Sequence, residues 1–310
     1  MKTRSIIPAA MLLCGCLRQH PAVPEPARGP ALDTLYELDR GRAHHSSGPA
    51  QRSDSTLSLL ASDVVYLRAG APAVYGLDGA RMLLAANPPG GEGAAWLPLG
   101  GGVSDDLLSA YTYGIAARHS DAANSAESAD ARIRFERYIA YWVRSRNQPW
   151  RIEAYAEIGG PSAGDATLDT TRTTPPALKL PERRAATTAA VRAADSLFSD
   201  VAYRLGLAVA FSGAVAPTGA VFGAPQLVVG PDAVRAYYRA QSGGTSLAWH
   251  PVYASAAGSG DLGFTIGDYL LTARGPSGAA VQRVGKYLTV WKRQKDGVWK
   301  FVIDGGNPTK

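Results

Sequence analysis

The chain repeats itself once, at the scale of a domain. Gly76-Leu77-Asp78-Gly79-Ala80-Arg81 in the first half answers to Gly230-Pro231-Asp232-Ala233-Val234-Arg235 in the second. Gly70-Ala71-Pro72 answers to Gly223-Ala224-Pro225, and Tyr111-Thr112-Tyr113-Gly114 to Phe264-Thr265-Ile266-Gly267. Arg137-Tyr138-Ile139-Ala140-Tyr141-Trp142 answers to Lys286-Tyr287-Leu288-Thr289-Val290-Trp291, and a further tryptophan follows in each copy, at Trp150 and Trp299. The offset is 154 at the first of these blocks and 149 at the last. Four blocks in one order mean a duplication, and the period is too long for a solenoid repeat. Whatever one half folds into, the other must fold into as well.

The segments around the copies carry different signals. Lys2 and Arg4 precede a short apolar run, Ile6 to Leu13, the layout of a secretory signal and too short for a spanning helix. The run ends in Leu13-Cys14-Gly15-Cys16, which resembles the bacterial lipobox. That resemblance implies cleavage before Cys16, lipidation of Cys16 and, since Leu17 is not aspartate, a lipid anchor on the periplasmic face of the outer membrane. Cys14 and Cys16 are the only cysteines, so a mature chain of this kind has no disulfide and no thiol nucleophile. Residues 1–15 therefore read as signal peptide and 16–30 as a lipidated, proline-rich tether. Residues 31–158 form a first domain, 159–185 a linker with Pro161, Pro175, Pro176 and Pro181, and 186–310 a second domain. The formal charge of +6 includes Lys2 and Arg4 and is spread over 310 residues. It argues against a nucleic-acid partner.

Each copy reads as helices first and sheet last. In the second, Ala194, Leu197, Phe198, Val201, Ala202 and Leu205 fall at helical spacing. Gly230-Pro231-Asp232 marks the start of a shorter helix. Strand-like runs follow at Leu247–Ala254, Leu262–Thr272, Tyr287–Lys292 and Val298–Asp304, with Asp296-Gly297 as a hairpin turn in which both residues tolerate positive φ. In the first copy, Asn87 to Gly102 and His119 to Ala131 are expected to be insertions in exposed connections.

Gly230–Arg235, Asp261–Gly267, Gly285–Trp291 and Asp296–Trp299 together resemble the SnoaL-like branch of the nuclear transport factor 2-like and ketosteroid isomerase-like proteins. The resemblance is better in residues 190–310 than in 31–160. It implies an α+β fold of two cone-shaped domains, each with N-terminal helices packed on a curved antiparallel sheet. It also implies pairing of cones, as an intrachain pseudo-dimer or a homodimer. It does not imply an activity, because members are enzymes, ligand binders or dimerisation modules. Ketosteroid-isomerase chemistry needs a carboxylate base and an oxyanion hole built from a tyrosine and a protonated acid. The base position falls near Arg68 in the first copy, and Gly213 to Gly219 in the second contains no acid. Neither copy retains the base.

Among single residues, His250 in Ala248-Trp249-His250-Pro251 is a candidate for ligand contact or proton transfer, weighed against an ordinary strand-end histidine. Asp268 shares a strand face with Phe264, Ile266 and Leu270, where an acid is either a buried base or the mark of a strand leaving the sheet. A pocket in the second cone is expected to involve Trp249, Phe264 and Tyr287. Asp304 reads as a strand terminus before a pocket cap, and Asp261 as a turn residue. Asp78 and Asp232 read as helix caps, with Arg81 and Arg235 as i+3 partners. Adjacent His44 and His45 diverge on a helix and do not suit a metal. The tryptophans of both copies read as core packing. No phosphate-binding loop, dinucleotide fingerprint or nucleophile elbow is present, so no cofactor and no metal is expected. The reading favoured is a non-catalytic envelope module binding a small apolar ligand or a protein. The alternatives are an isomerase, cyclase or hydrolase using an acid or histidine of the second cone, and a self-paired scaffold.

Overall fold

The computed structural model describes residues 29–41, 56–86, 95–119, 133–158, 182–222, 227–241, 243–275 and 278–309. Cys16, His44, His45 and most of the proposed linker lie outside them. The first half runs α1 (Pro30–Gly41), a helical turn at 56–59, β1 (Leu60–Leu67), β2 (Val74–Tyr75), α2 (Gly76–Ala86), β3 (Ala95–Val103), β4 (Ser109–His119), β5 (Ile133–Val143) and β6 (Arg151–Ile158). The second runs α3 (Glu182–Leu205), α4 (Leu207–Ala214), β7 (Val215–Phe222), β8 (Leu227–Val229), α5 (Pro231–Ala240), β9 (Ser246–Ala256), β10 (Leu262–Arg274), β11 (Ala280–Arg293) and β12 (Trp299–Pro308). The sheets have the same order, β2-β1-β6-β5-β4-β3 and β8-β7-β12-β11-β10-β9. Each is antiparallel except for one parallel pairing, β1 with β6 and β7 with β12. Bulges at matched places, Tyr141/Trp142 on β5–β6 and Val290/Trp291 on β11–β12, bend the strands and curve each sheet over its helices. The fold is α+β, in two cones.

Local chemistry accounts for most element ends. Leu32, Leu35, Tyr36 and Asp39 recur at helical spacing on α1 and all are buried. Gly230, at φ 82°, turns the chain into α5, where Pro231 supplies the fixed φ of a first helical turn. The cap position belongs to Gly230 and no side chain makes a capping hydrogen bond there, so Asp232 serves as an acid in the first turn, facing the positive end of the helix dipole. Asp78 does pair with Arg81, at 2.7 Å on the surface. At Asp296-Gly297 only Gly297 takes positive φ, 84°, with its N–H donating to the Gln294 carbonyl, so the turn is not the doubly left-handed type.

An expectation about a whole element fails too. Residues 95–103 are not part of an exposed connection but the strand β3, paired along β4. Its glycines mislead a propensity reading because they serve packing: the rings of Tyr113 and Tyr111 lie where side chains at Gly100 and Gly102 would stand. Residues 87–94 and 120–132 lie outside the described residues.

Both faces of each sheet carry buried residues. One carries the helices of its own half; the other meets the second sheet. Val65, Ile139, Tyr141 and Ala156 of the first half share a core with Phe264, Ile266, Leu288 and Val290 of the second. Tyr141 and Phe264 lie with ring centroids 4.7 Å apart across it. At the rim, the Ser259 backbone N–H donates to Asp106 at 2.9 Å, and the Asp105 N–H donates to Asp261 at 3.1 Å. Each copy thus offers a carboxylate to the other's turn, the reciprocity of a two-fold interface held within one chain.

Candidate functional site

The helix side of the second sheet carries a half-open cavity of about 280 Å³. Phe198 of α3, Leu207 and Phe211 of α4, and Tyr237 and Tyr238 of α5 close it from above. Trp249 of β9, Tyr269 of β10, Tyr287 of β11 and Asp304 of β12 form its floor. Phe211 stacks on Tyr238 at 4.0 Å, and Phe198 meets Trp249 edge-on at 4.7 Å, so the walls are fixed by ring packing.

Two carboxyl groups belong to this region. Asp195, on the buried face of α3, accepts from Trp249 Nε1 at 2.9 Å and from the Tyr287 hydroxyl at 2.8 Å. Burial pushes its carboxyl pKa up against these hydrogen bonds, and burial together with Asp195 pushes the Tyr287 phenol up as well. Asp304 lines the cavity itself, partly buried. Its Oδ1 accepts from Thr289 Oγ1 at 2.5 Å, and no described residue bonds its Oδ2. Burial raises its pKa to about 7, with the Thr289 bond pulling the other way and the Asp195 charge adding to the rise. A carboxyl group facing an apolar cavity and titrating near neutrality can accept or donate a proton there.

Among the described residues, two buried tyrosines occupy the corresponding site in the first half. Register equates Asp304, opposite Val221, with Tyr155, opposite Tyr66. Tyr66 and Tyr155 are buried with centroids 4.9 Å apart, and Trp96, the counterpart of Trp249, donates to the Tyr155 hydroxyl at 3.3 Å. The carboxylate–phenol pair survives: Tyr138 donates to buried Asp39 at 2.9 Å, as Tyr287 does to Asp195. Two tyrosines stand where the second cone has a valine and an aspartate.

Of the residues singled out from sequence, Trp249 and Tyr287 line the cavity. Phe264 does not join them. Alternation along β10 turns Thr265, Tyr269 and Leu271 to the helices and sends Phe264 and Ile266 into the core between the sheets. Asp268 lies on that second face too, paired across the sheet with exposed His250 on one side and buried Lys286 on the other. Neither His250 nor Asp268 is among the residues lining the cavity. Lys286 donates to Asn307 Oδ1 at 2.6 Å, and burial pulls its ammonium pKa down to about 7 despite the nearby Glu157 and Asp268. Arg68, near the expected base position, is held by Glu157 through bonds of 3.0 to 3.1 Å. Among the described residues no three His, Cys, Asp or Glu side chains gather as metal ligands. Asp195 and Asp39 were the residues to find from sequence: each is an acid set into the apolar face of its copy's first helix.

No family model and no curated sequence matches the chain. Solved structures resemble single halves. A ketosteroid isomerase-like protein from Erwinia carotovora atroseptica is 16% identical with a TM-score of 0.34, over 39% of this chain and 95% of that one. A nuclear transport factor 2-like superfamily protein from Salmonella enterica is 11% identical with a TM-score of 0.35, over 41% and 93%. A nuclear transport factor 2-like protein with a cystatin-like fold from Novosphingobium aromaticivorans is 20% identical with a TM-score of 0.31, over 38% and 79%. These are likenesses of fold alone, and the architecture stands on the strand order and helix placement given above.

Proposed function

We propose that this chain, a tandem of two nuclear transport factor 2-like cones, is a small-ligand-binding module in which the second cone binds and the first is its filled structural partner. The observation that carries this reading is the contrast between the halves: an aromatic-walled cavity in one, two buried tyrosines in the other. A cavity of this size lined by rings and one carboxyl group suits a small, largely apolar molecule with a single polar group. The proposal includes a lipid anchor at Cys16 that holds the module in the cell envelope.

The test uses N-phenyl-1-naphthylamine, an apolar fluorophore, titrated against the mature chain. One molecule per chain is expected to bind. Val221→Tyr, which copies the filled cone's Tyr66, is expected to abolish binding while leaving the circular dichroism unchanged. Binding that survives this substitution places the ligand elsewhere and removes the proposal. The anchor is tested separately by radiolabelled palmitate, which labels the wild-type chain and leaves Cys16→Ala unlabelled.

The near-neutral Asp304 favours a second reading, acid–base catalysis on the bound molecule. The two readings part at Asp304→Asn. A binding module leaves its ligand unchanged in wild type and variant alike, whereas an enzyme converts it in the wild type and, in the variant, binds it without turnover.

A further inference from the structure

We propose that the natural ligand of the second cone carries a cationic nitrogen, a protonated or quaternary amine, which sits among the tyrosine rings against Asp304. This deepens the binding reading above and rests on it.

Three observations converge on that chemistry. The polar groups lining the cavity are the Tyr237, Tyr238, Tyr269 and Tyr287 phenols, Trp249, Gln241, Thr245 and Asp304, with no lysine, arginine or histidine among them. An anionic ligand would meet a carboxylate and the negative faces of several rings, and nothing in that lining would offset its charge. A cation meets the reverse, since ring faces attract it and the effect is strongest where water is excluded. Asp304 adds a full opposite charge, and its Oδ2 is left without a protein bond among the described residues. The carboxylate is costly in this setting when empty, as its tendency to stay protonated shows. A cation bound there relieves that cost through its full charge, more than a neutral hydrogen-bond donor such as Thr289 does.

The proton and the cation therefore compete for one site. Around Asp304 the titratable neighbours are Asp195 of α3, Tyr238 and Tyr237 of α5, Tyr269 of β10, on which Arg283 acts, and Tyr287 of β11. Burial pushes the Tyr238, Tyr269 and Tyr287 phenols up, so these stay neutral near pH 7. Asp195 is occupied by Trp249 and Tyr287 and is not in the lining. Lys286 and Asp268 lie on the opposite face of the sheet. Asp304 is the acid the ligand meets.

The experiment compares benzyltrimethylammonium, whose charge does not titrate, with neopentylbenzene, its uncharged carbon isostere, by NMR titration of the mature chain. At about pH 9 the cation is expected to bind about tenfold more tightly than the isostere. The preference is expected to fade towards about pH 5 as Asp304 takes up its proton, and in Asp304→Asn to be reduced to the smaller, pH-independent part that the rings supply. In Thr289→Val, which removes the bond that favours the ionised carboxyl, the midpoint of the pH dependence is expected to move upward. Equal binding of the two probes by the wild type, or a preference that is undiminished and still pH-dependent in Asp304→Asn, overturns the amine inference and leaves the cavity reading intact. Binding of neither probe overturns both.

Discussion

Asp304 and Lys286 stand on neighbouring strands, on opposite faces of one sheet, and they bend the pH dependence of stability in opposite senses. Native Asp304 keeps its proton up to about pH 7, whereas an unfolded aspartate releases it near pH 4. The native state binds more protons between those values, so the contribution of Asp304 to stability is greatest below about pH 4 and falls as pH rises towards 7. Native Lys286 releases its proton at about pH 7, whereas the unfolded chain keeps it to about pH 10. There the unfolded state binds more protons, so stability climbs from about pH 7 to 10. Urea unfolding across this range is expected to show a minimum near neutrality. Asp304→Asn should flatten the acid limb and Lys286→Met the basic one; a profile untouched by either substitution contradicts the assignment. A second residue-scale expectation concerns Leu107, which holds φ 56° in an exposed turn where the second copy places Gly260 at φ 85°. Leu107→Gly relieves left-handed strain and should raise the unfolding free energy by about 0.5–1 kcal/mol.

Among the elements, the matched bulges show how the two copies have diverged. Glu153 is the extra residue on β6 and Val302 the extra residue on β12. Val302 joins the shared core, while Glu153 accepts from Arg184 at 3.0 Å and from Ser255 at 2.7 Å. Arg184 also donates to the Ala256 carbonyl at 2.8 Å, so the first turn of α3 is tied to both sheets. Arg184→Ala leaves a buried carboxylate short of its counter-charge and should cost about 3 kcal/mol. Adding Glu153→Val, the residue of the other copy, should recover most of that loss in urea unfolding. If the double variant is no better than the single one, the ion pair is not what the bulge is for. The long first helix, the helix after Gly230 and the last four strands of the second copy were legible because apolar periodicity and turn residues are local, whereas α4, β7 and β8 were not foreseen. The strand β3 was not, because Gly100 and Gly102 are there for the rings of Tyr113 and Tyr111, which only the paired strand brings near.

At the scale of the molecule, the sheets share one core, so the halves are expected to unfold together. Phe264→Ala empties a site packed against Tyr141 and Tyr253 and should cost about 3–5 kcal/mol. Hydrogen exchange should report that loss equally at β5 and β11, and separate melting of the halves would count against a shared core. The sequence by itself determined that one domain is written twice, that each copy opens on a helix and closes on four strands, and that 264, 266 and 268 share a face; the two strands that precede the last helix of each copy were not foreseen. Those properties are carried by spacing along the chain. Only the tertiary structure decided which face that was. Because helices cover one side of each sheet and the partner sheet the other, both faces are apolar, and alternation cannot tell cavity from interface. Trp249 and Tyr287 therefore reach the cavity while Phe264 and Asp268 turn away from it. The same limit hid the filled cone, since Tyr66 and Tyr155 meet only through a parallel pairing that joins strands far apart in sequence.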